Sequence, residues 1–121
     1  MKTDTTRNNC IDYIEFPAKS AGELATTKQF YGSAFGWIYK DWGDEYADTQ
    51  SSGVGTGINA DRSHQPQQPL VVLYAESLED SRARVVAANG KITKDIFAFP
   101  GGRRFHFVDP AGNELAVWSE V

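Results

Sequence analysis

The sequence predicts an α+β domain made of two successive βαβββ units. Three observations support this prediction: each half of the chain begins with a strand and a capped helix, short strands follow each helix, and a polar connector at residues 59–69 separates the halves. The modules span residues 10–58 and 70–121, and a length of 121 residues fits one domain.

The first module begins with a strand at residues 11–16, where apolar and polar side chains alternate. A helix follows at residues 22–35, because Ser20 and Glu23 have the spacing of a capping box and Gly36 suits a helix end. Short strands are predicted at residues 37–42, 45–50 and 54–58. Residues 1–9 are polar and lack periodicity, so we expect a mobile tail before the single domain at residues 10–121.

The second module repeats this order. A strand at residues 70–75 precedes a helix at residues 78–88, which Ser77 and Asp80 would cap and Asn89-Gly90 would end. Strands follow at residues 91–99, 102–108 and 114–119. The last two form a hairpin, since the segment DPAGN at residues 109–113 combines a proline, a glycine and side chains that bond their own backbone.

Composition and charge exclude several classes of partner. Twelve Lys and Arg against sixteen Asp and Glu give a net charge of -4, which argues against nucleic acid. Arg103 and Arg104 form the only adjacent basic pair, which is either a solvated strand end or a contact for an anionic ligand. The single Cys10 and the lack of a secretory segment at residues 1–9 predict a cytoplasmic protein. No apolar run approaches the roughly 20 residues that span a bilayer, so no membrane partner is expected.

Two motifs occur in order around the duplicated pattern, FYGSAFGW at residues 30–37 and FVDPAGNEL at residues 107–115, with shorter matches at residues 13–17, 73–75 and 89–91. On these residues the chain resembles the vicinal oxygen chelate superfamily, also called the glyoxalase, bleomycin-resistance and dihydroxybiphenyl dioxygenase group. The resemblance implies paired modules that form a curved mixed sheet around a cavity, with helices on the convex side. It also implies a homodimer.

Members of that superfamily with chemistry hold a divalent metal in the cavity. The resemblance places the usual ligand positions at Tyr13, Val71 and Ala116, with a fourth near the end of the first module that does not align. Valine and alanine have no donor atom, and a lone tyrosine is a poor ligand for a divalent ion. Glu114 is polar but lies two positions before the expected one. We therefore predict no metal and no other cofactor.

The resemblance also divides the side chains between two faces of the sheet. Tyr13, Glu15, Ala116 and Trp118 would face the cavity, and Ile14, Phe16, Leu115 and Val117 would pack against the helices. Glu15 is a catalytic candidate, because a carboxylate in a partly apolar cavity could act as a general base. The alternative is that Glu15 pairs with a strand neighbour through an ion pair or a hydrogen bond.

His106 is the second catalytic candidate, and the hairpin register, which the sequence leaves open, decides whether it faces the cavity or the core. His64, in the polar connector, is interpreted as an exposed histidine. Flat ligands stack on aromatic side chains in apolar pockets, although the same side chains also suit a core or a dimer interface. The candidate ligand-binding residues are Tyr13, Trp42, Tyr46, Gln50 and Trp118.

These features predict a metal-independent small-molecule binding protein, similar in type to antibiotic-sequestering members of the superfamily. The alternative is a metal-dependent lyase, isomerase or dioxygenase that holds a divalent metal with Glu15, Gln50, His106 and Glu114. A dimerisation module without a cavity is a third class. The sequence leaves the identity of the ligand and the question of turnover open.

Overall fold

A computed structural model of the chain describes residues 7–121. The first module contains β1 (Cys10–Pro17), α1 (Ala21–Phe35), β2 (Lys40–Asp41), β3 (Tyr46–Thr49) and β4 (Gly55–Asn59). The second contains β5 (Leu70–Tyr74), α2 (Leu78–Ala87), β6 (Lys91–Phe99), β7 (Gly102–Val108) and β8 (Glu114–Ser119). The order βαβββ thus occurs twice, which confirms the α+β class and the two modules.

The described residues form two compact units, one of residues 13–70 and one in which residues 71–121 associate with residues 7–12. In the first unit the strand order is β2-β3-β4-β1, with β1 and β4 parallel and the other pairs antiparallel. Leu24 of α1 packs into a cluster of small and aliphatic residues, which contains Ala18, Ala47, Ile58 and Ala60. One face of this half of the sheet is therefore covered by α1.

In the second unit the strand order is β5-β8-β7-β6, with β5 and β8 parallel and the other pairs antiparallel. Leu78 of α2 packs against Ala75, Phe105 and Val117, and Phe105 has no exposed surface. The two units therefore share one pattern of pairing, in which the first strand of each lies parallel to the last. Mixed pairing, as the sequence predicts, is present in both.

Local signals mark both ends of the two helices where the sequence predicts them. Ser20 Oγ accepts a hydrogen bond from the Glu23 N–H at 3.1 Å, and Ser77 Oγ accepts one from the Asp80 N–H at 3.3 Å. Gly36 ends α1 with φ of 76°, and Asn89 follows α2 with φ of 74°. The predicted Gly112 turn is also present, with φ of 91°.

The strand predicted at residues 37–42 is wrong in its first half. Gly36 turns the chain back, and the Trp37 ring stacks on Tyr31 of α1 with ring centroids 4.8 Å apart, so only Lys40–Asp41 pair as β2. Of the tail predicted at residues 1–9, residues 1–6 lie outside the described residues. Its last part contacts the second unit, since the Asn9 N–H donates to the Tyr74 carbonyl at 2.8 Å. Neither α1 nor α2, the helices of residues 7–121, has the length and apolar run needed to cross a membrane.

Candidate functional site

Each module has one sheet face that points away from its helix-packed cluster. In the first module, residues directly opposite one another across β1, β4 and β3 share this face, as Glu15, Gly57 and Asp48 do. We call it the first-module face. Its side chains are those of Tyr13, Glu15, Tyr46, Asp48, Gln50 and Asn59, and Gly55 and Gly57 lie among them.

A pair of tyrosines occupies the middle of the first-module face. The Oη atoms of Tyr13 and Tyr46 lie 2.5 Å apart in a hydrogen bond, although the two residues are 33 positions apart in the chain. A Cβ atom at Gly57 would overlap both hydroxyl groups, so only glycine at this position of β4 leaves room for the pair. At Gly55, a Cβ atom would lie 3.2 Å from Nε2 of Gln50. The two glycines therefore let the sheet surface accept three long polar side chains.

Burial is the main cause that raises the pKa of Tyr13 far above its ordinary value. The neighbouring Tyr46, and then the nearby Asp48 and Glu15, act in the same direction. The Tyr13 hydroxyl is accordingly protonated at every physiological pH. It therefore offers a neutral donor and acceptor.

Glu15 is buried, with 3% of its surface exposed. Its Oε2 accepts a hydrogen bond from Asn59 Nδ2 at 2.8 Å, and Asn59 Oδ1 in turn accepts one from the Asp61 N–H at 2.8 Å. The expected alternative for Glu15, a hydrogen bond to a neighbouring strand, is therefore present. A role as general base stays a prediction.

The other two candidates of the first module lie at the ends of β2 and β3. Gln50 follows β3 and is exposed, with its amide beside Gly55. Trp42 lies after β2, is 55% exposed, and has the Lys40 ammonium 4.2 Å from its ring centroid. The structure thus brings together Tyr13, Tyr46 and Gln50 around two glycines, and leaves Trp42 on the turn that leads into β3.

The corresponding face of the second module, which we call the second-module face, has a different character. His106 of β7 lies opposite Ala116 of β8, and Ala116 lies opposite Val72 of β5. These residues alternate with Phe105 and Val117, which pack on the α2 side. The register therefore places His106 away from the helix-packed core. The side chains of this face include Lys94, Phe97, Arg104, His106, Glu114, Ala116 and Trp118.

His106 is 4% exposed and held at one ring nitrogen. Its Nδ1 lies 3.3 Å from Oε2 of Glu114, and the same oxygen accepts a hydrogen bond from Thr93 Oγ1 at 3.2 Å. Its Nε2 is buried and has no hydrogen-bond partner within residues 7–121. Burial lowers the pKa of His106 below its ordinary value, and the positive charge of Arg104 lowers it further. The imidazole is therefore neutral at pH 7.

Trp118 is half-buried and already has partners inside the second unit. Its Nε1–H donates to Asp12 Oδ2 at 2.9 Å, and its ring meets the Tyr74 ring edge-on at a centroid distance of 5.3 Å. Arg7 pairs with Asp12 at 3.0 Å and lies 3.9 Å from the Tyr74 ring centroid. The indole ring offers a surface for stacking, but the indole N–H already donates its hydrogen bond to Asp12.

The sequence matches the Glyoxalase/Bleomycin resistance protein/Dioxygenase superfamily over residues 11–117. The chain belongs to this superfamily. No curated protein sequence matches it. The resemblance recognised in the two motifs is thereby confirmed, and it extends over nearly all of the described residues.

Solved structures support the superfamily fold. The NAD-dependent benzaldehyde dehydrogenase from Legionella pneumophila superposes with a TM-score of 0.74 at 14% identity, covering 90% of this chain and 98% of that chain. Methylmalonyl-CoA epimerase from Mycobacterium tuberculosis gives 0.66 at 12% identity, covering 100% and 93%. The Mn(II)-bound glyoxalase from Novosphingobium aromaticivorans gives 0.65 at 23% identity, covering 95% of this chain but 40% of that one. At these identities the likeness shows the fold alone.

Superfamily membership raises the question of a divalent metal at the ligand positions that the resemblance implies. The strand register corrects one expected ligand position: Val71 pairs with Leu115, whereas Val72 is the residue beside Ala116 on the second-module face. The prediction of Val71 was wrong by one residue, because the apolar run LVVLY has no alternation that marks its faces. Valine at either position lacks a donor atom. No group of three His, Cys, Asp or Glu side chains that could hold a metal occurs among residues 7–121.

Sequence reasoning missed several residues of both faces. Asp48 lies between Tyr46 and Gln50 on the same side of β3, so strict alternation along that strand could have revealed it. Asn59 was assigned to the connector, yet it is the last residue of β4. Arg104, interpreted with Arg103 as a strand end, lies half-buried on the second-module face. Arg103 instead pairs with Glu79 at 2.7 Å.

Proposed function

We propose that this superfamily member is a metal-independent small-molecule binding protein whose ligand contacts the first-module face. The observation that supports this most is the hydroxyl pair of Tyr13 and Tyr46, held 2.5 Å apart above Gly57. Together with the Gln50 amide, the pair offers donors and acceptors on a surface that is only partly buried. A few convergent polar groups beside aromatic rings are what small-molecule sites commonly use.

The chemistry of this face favours binding over a role in packing alone. A sheet face that serves only as core carries apolar side chains, because burying polar groups costs free energy unless each is paired. Here tyrosine, glutamate, asparagine and glutamine side chains occupy the face instead, and Glu15 is almost completely buried. Polar side chains retained at such a cost are typical of ligand sites.

Metal independence is supported by donor chemistry. Where members with a metal have His or Glu, this chain has Tyr13, Val72 and Ala116, and only the first of these has a donor atom in its side chain. A divalent ion needs several carboxylate, imidazole or thiolate donors. The alternative, a metal-dependent lyase, isomerase or dioxygenase, would need donors from elsewhere in the chain.

Titration calorimetry with zinc, nickel, iron and manganese distinguishes these two functions. We expect no stoichiometric binding, and a melting temperature that neither chelator nor added metal changes, since an ion bound only by the folded state would raise it. Tight binding to the wild type that is lost in the Glu15→Gln, His106→Ala double variant would support the enzyme instead.

A ligand screen by NMR tests the binding site itself. Tyr46→Phe removes one hydroxyl and keeps the ring, and Tyr31→Phe is the matched control, because Tyr31 lies in the aromatic cluster of α1. Compounds that bind the first-module face should lose about tenfold in affinity in Tyr46→Phe, equivalent to one hydrogen bond, and nothing in Tyr31→Phe. Binders that respond equally to both variants would refute the proposed position.

We also propose a homodimer, which superfamily resemblance implies. Light scattering at micromolar concentration should give twice the mass of one chain, which is 13.4 kDa. A monomer mass throughout that range would contradict this proposal without affecting the ligand site.

A further inference from the structure

The second-module face contains a buried polar atom that the proposed function does not use. His106 has one nitrogen facing Glu114 at 3.3 Å and the other, Nε2, buried without a partner among residues 7–121. Buried polar atoms in folded proteins are nearly always paired, so an unpaired ring nitrogen requires an explanation. Nε2 lies on the side of the sheet that α2 does not cover.

The contacts of His106 determine what Nε2 can bind. A neutral imidazole carries one proton, and the carboxylate of Glu114 can only accept a hydrogen bond at neutral pH. The proton therefore resides on Nδ1, which donates to Glu114, and Nε2 presents a lone pair. Thr93 Oγ1 donates to the same Glu114 oxygen at 3.2 Å and so fixes the carboxylate in place. Nε2 is thus an oriented acceptor.

The charges around His106 come from three strands. Glu114 of β8 is the negative group, and Arg104 of β7 and Lys94 of β6 are the positive ones. The Phe97 ring lies among them, with the Lys94 ammonium 5.4 Å and the Arg104 guanidinium 5.5 Å from its centroid. An oxygen atom that approached Nε2 would therefore meet two positive charges, which stabilise partial negative charge.

We propose that Nε2 of His106 accepts a hydrogen bond from the acidic hydroxyl of a ring-bearing small molecule, such as a phenol or an enol, bound at the second-module face. The hydroxyl donates to Nε2, and Arg104 and Lys94 stabilise the oxygen. The ligand ring lies against Phe97, whose centroid is 5.9 Å from that of the imidazole. No bond is broken, and no metal takes part.

Nε2 is buried, so a ligand that binds it must displace a neighbouring side chain. We infer that this side chain is Phe97, whose ring centroid lies 5.9 Å from that of the imidazole. The pairing of β6 with β7 shifts register between Ile92 and Lys94 and again between Lys94 and Phe97. Irregular pairing of this kind is common beside binding sites, where it changes the direction of a side chain. The Phe97 side chain therefore lies on the least regular part of the strand.

The first experiment determines the tautomer. The chain has two histidines, so the variant His64→Ala leaves His106 as the one source of imidazole signals in a nitrogen-15 spectrum. We expect at pH 7 a protonated Nδ1 and an unprotonated Nε2. A proton on Nε2 would make it a donor and would overturn the proposal.

The second experiment uses 4-nitrophenol, at a pH below that of its ionisation, and 4-nitroanisole, which has nearly the same shape but no hydroxyl proton. In the His64→Ala background, 4-nitrophenol should shift the His106 Nε2 resonance saturably, and 4-nitroanisole should bind at least about tenfold more weakly. Equal binding of the two compounds, or no shift with millimolar 4-nitrophenol, would overturn the proposal.

Two variants complete the test. His106→Phe keeps a ring and removes the acceptor, so 4-nitrophenol should lose its advantage over 4-nitroanisole; if this variant does not fold, the smaller substitution His106→Ala tests the same loss. Phe97→Ala removes the ring contact for both compounds and leaves the acceptor in place, so the preference for 4-nitrophenol over 4-nitroanisole should remain, and loss of that preference would contradict the role of Nε2. Tyr46→Phe should have no effect here, so failure of this inference and failure of the proposed function are distinguishable.

Discussion

The two modules share a backbone plan but differ in the chemistry of their helix-free faces. The first carries tyrosine, glutamate and amide side chains packed over two glycines, whereas the second carries basic and aromatic side chains around a buried histidine. Caps, turns and alternation determine the shared plan, and each module keeps these signals. Side chains of the helix-free face contribute little to that plan, so the two modules can differ there and keep the same backbone.

The modules also differ in how they pack their helices. The cluster beneath α1 consists of three alanines with Leu24 and Ile58, and α1 leaves Phe30 and Phe35 more than half exposed. The cluster beneath α2 contains Phe105, Val117 and Leu78. Larger buried side chains remove more apolar surface from water, so the second core should contribute more to stability.

The largest expected effect tests this difference in packing. Phe105→Ala should lower the free energy of unfolding by about 3–5 kcal/mol, because it leaves a large cavity in the second core. Phe30→Ala, at 58% exposure, should change it by less than about 0.5 kcal/mol. Urea denaturation measures both. A large cost at Phe30 would mean that the aromatic surface of α1 is covered in solution.

The second prediction compares two matched positions on the helix-free faces. Gly57 lies opposite Glu15, and its counterpart Ala116 lies opposite Val72. Gly57→Ala should cost about 1–3 kcal/mol, because the new methyl group overlaps the hydroxyl pair of Tyr13 and Tyr46. Ala116→Gly should cost only about 0.5–1 kcal/mol, as glycine does in a strand. Gly22→Ala, in the first turn of α1, is the control and should not destabilise.

The first module should lose stability in alkali. The pKa of Tyr13 is raised in the folded chain, so the unfolded chain releases this proton first, and above about pH 10 stability falls by up to about 1.4 kcal/mol per pH unit. Tyr39 of the same module, whose pKa burial raises to about 12, contributes in the same direction. Tyr13→Phe should have the shallower dependence. Identical pH profiles would show that Tyr13 is well solvated.

The second module should lose stability in weak acid. The pKa of His106 is lowered in the fold by burial and by Arg104 and Lys94, against the opposing effect of Glu114. The unfolded chain therefore takes up this proton first, and stability falls as pH decreases below about 6.5. Melting temperatures of the wild type and of His106→Gln should diverge over this interval. Parallel curves would indicate an ordinary, solvated histidine.

The last comparison concerns the helix ends, where the smallest effect is expected at Asn89. Gly36→Ala should cost about 1–2 kcal/mol, because a side chain is disfavoured at its φ of 76°. Asn89 adopts a similar φ of 74° after α2, so Asn89→Gly should be neutral or stabilise by a few tenths of a kcal/mol. Thermal denaturation measures both. A destabilised Asn89→Gly would reveal a contact of the Asn89 side chain.

Elements that have their own local signals were predicted correctly from the sequence. The side of the sheet on which a residue lies was not predicted where it depends on pairing between strands. The caps at Ser20 and Ser77 and the three strands after α2 were found, because each has its own capping, turn or alternation signal. The side of β5 that faces α2 could not be found, since all five residues of that strand are apolar or aromatic. The orientation of His106 likewise depended on hairpin register.

The candidate site shows the same limit. The resemblance placed Tyr13 and Glu15 on the cavity face, and Tyr46 was a candidate because of its aromatic ring, but the contacts of these three residues were not predicted. The hydrogen bond between Tyr13 and Tyr46 depends on Gly57, a residue of a third strand, and that of Glu15 depends on Asn59, at the end of the same strand. Only the strand pairing shows which residues meet.

The irregular pairing of β6 has a consequence for the behaviour of the protein at high concentration. β2 and β6 are the outermost strands of the two halves, and an outer strand with free backbone groups can recruit another chain and start aggregation. β2 is only two residues long. β6 is nine residues long, but its two register shifts and its exposed Lys91 and Lys94 make it a poor template for another strand. The same departures from a regular ladder that lie beside Phe97 thus protect the chain against fibrous assembly.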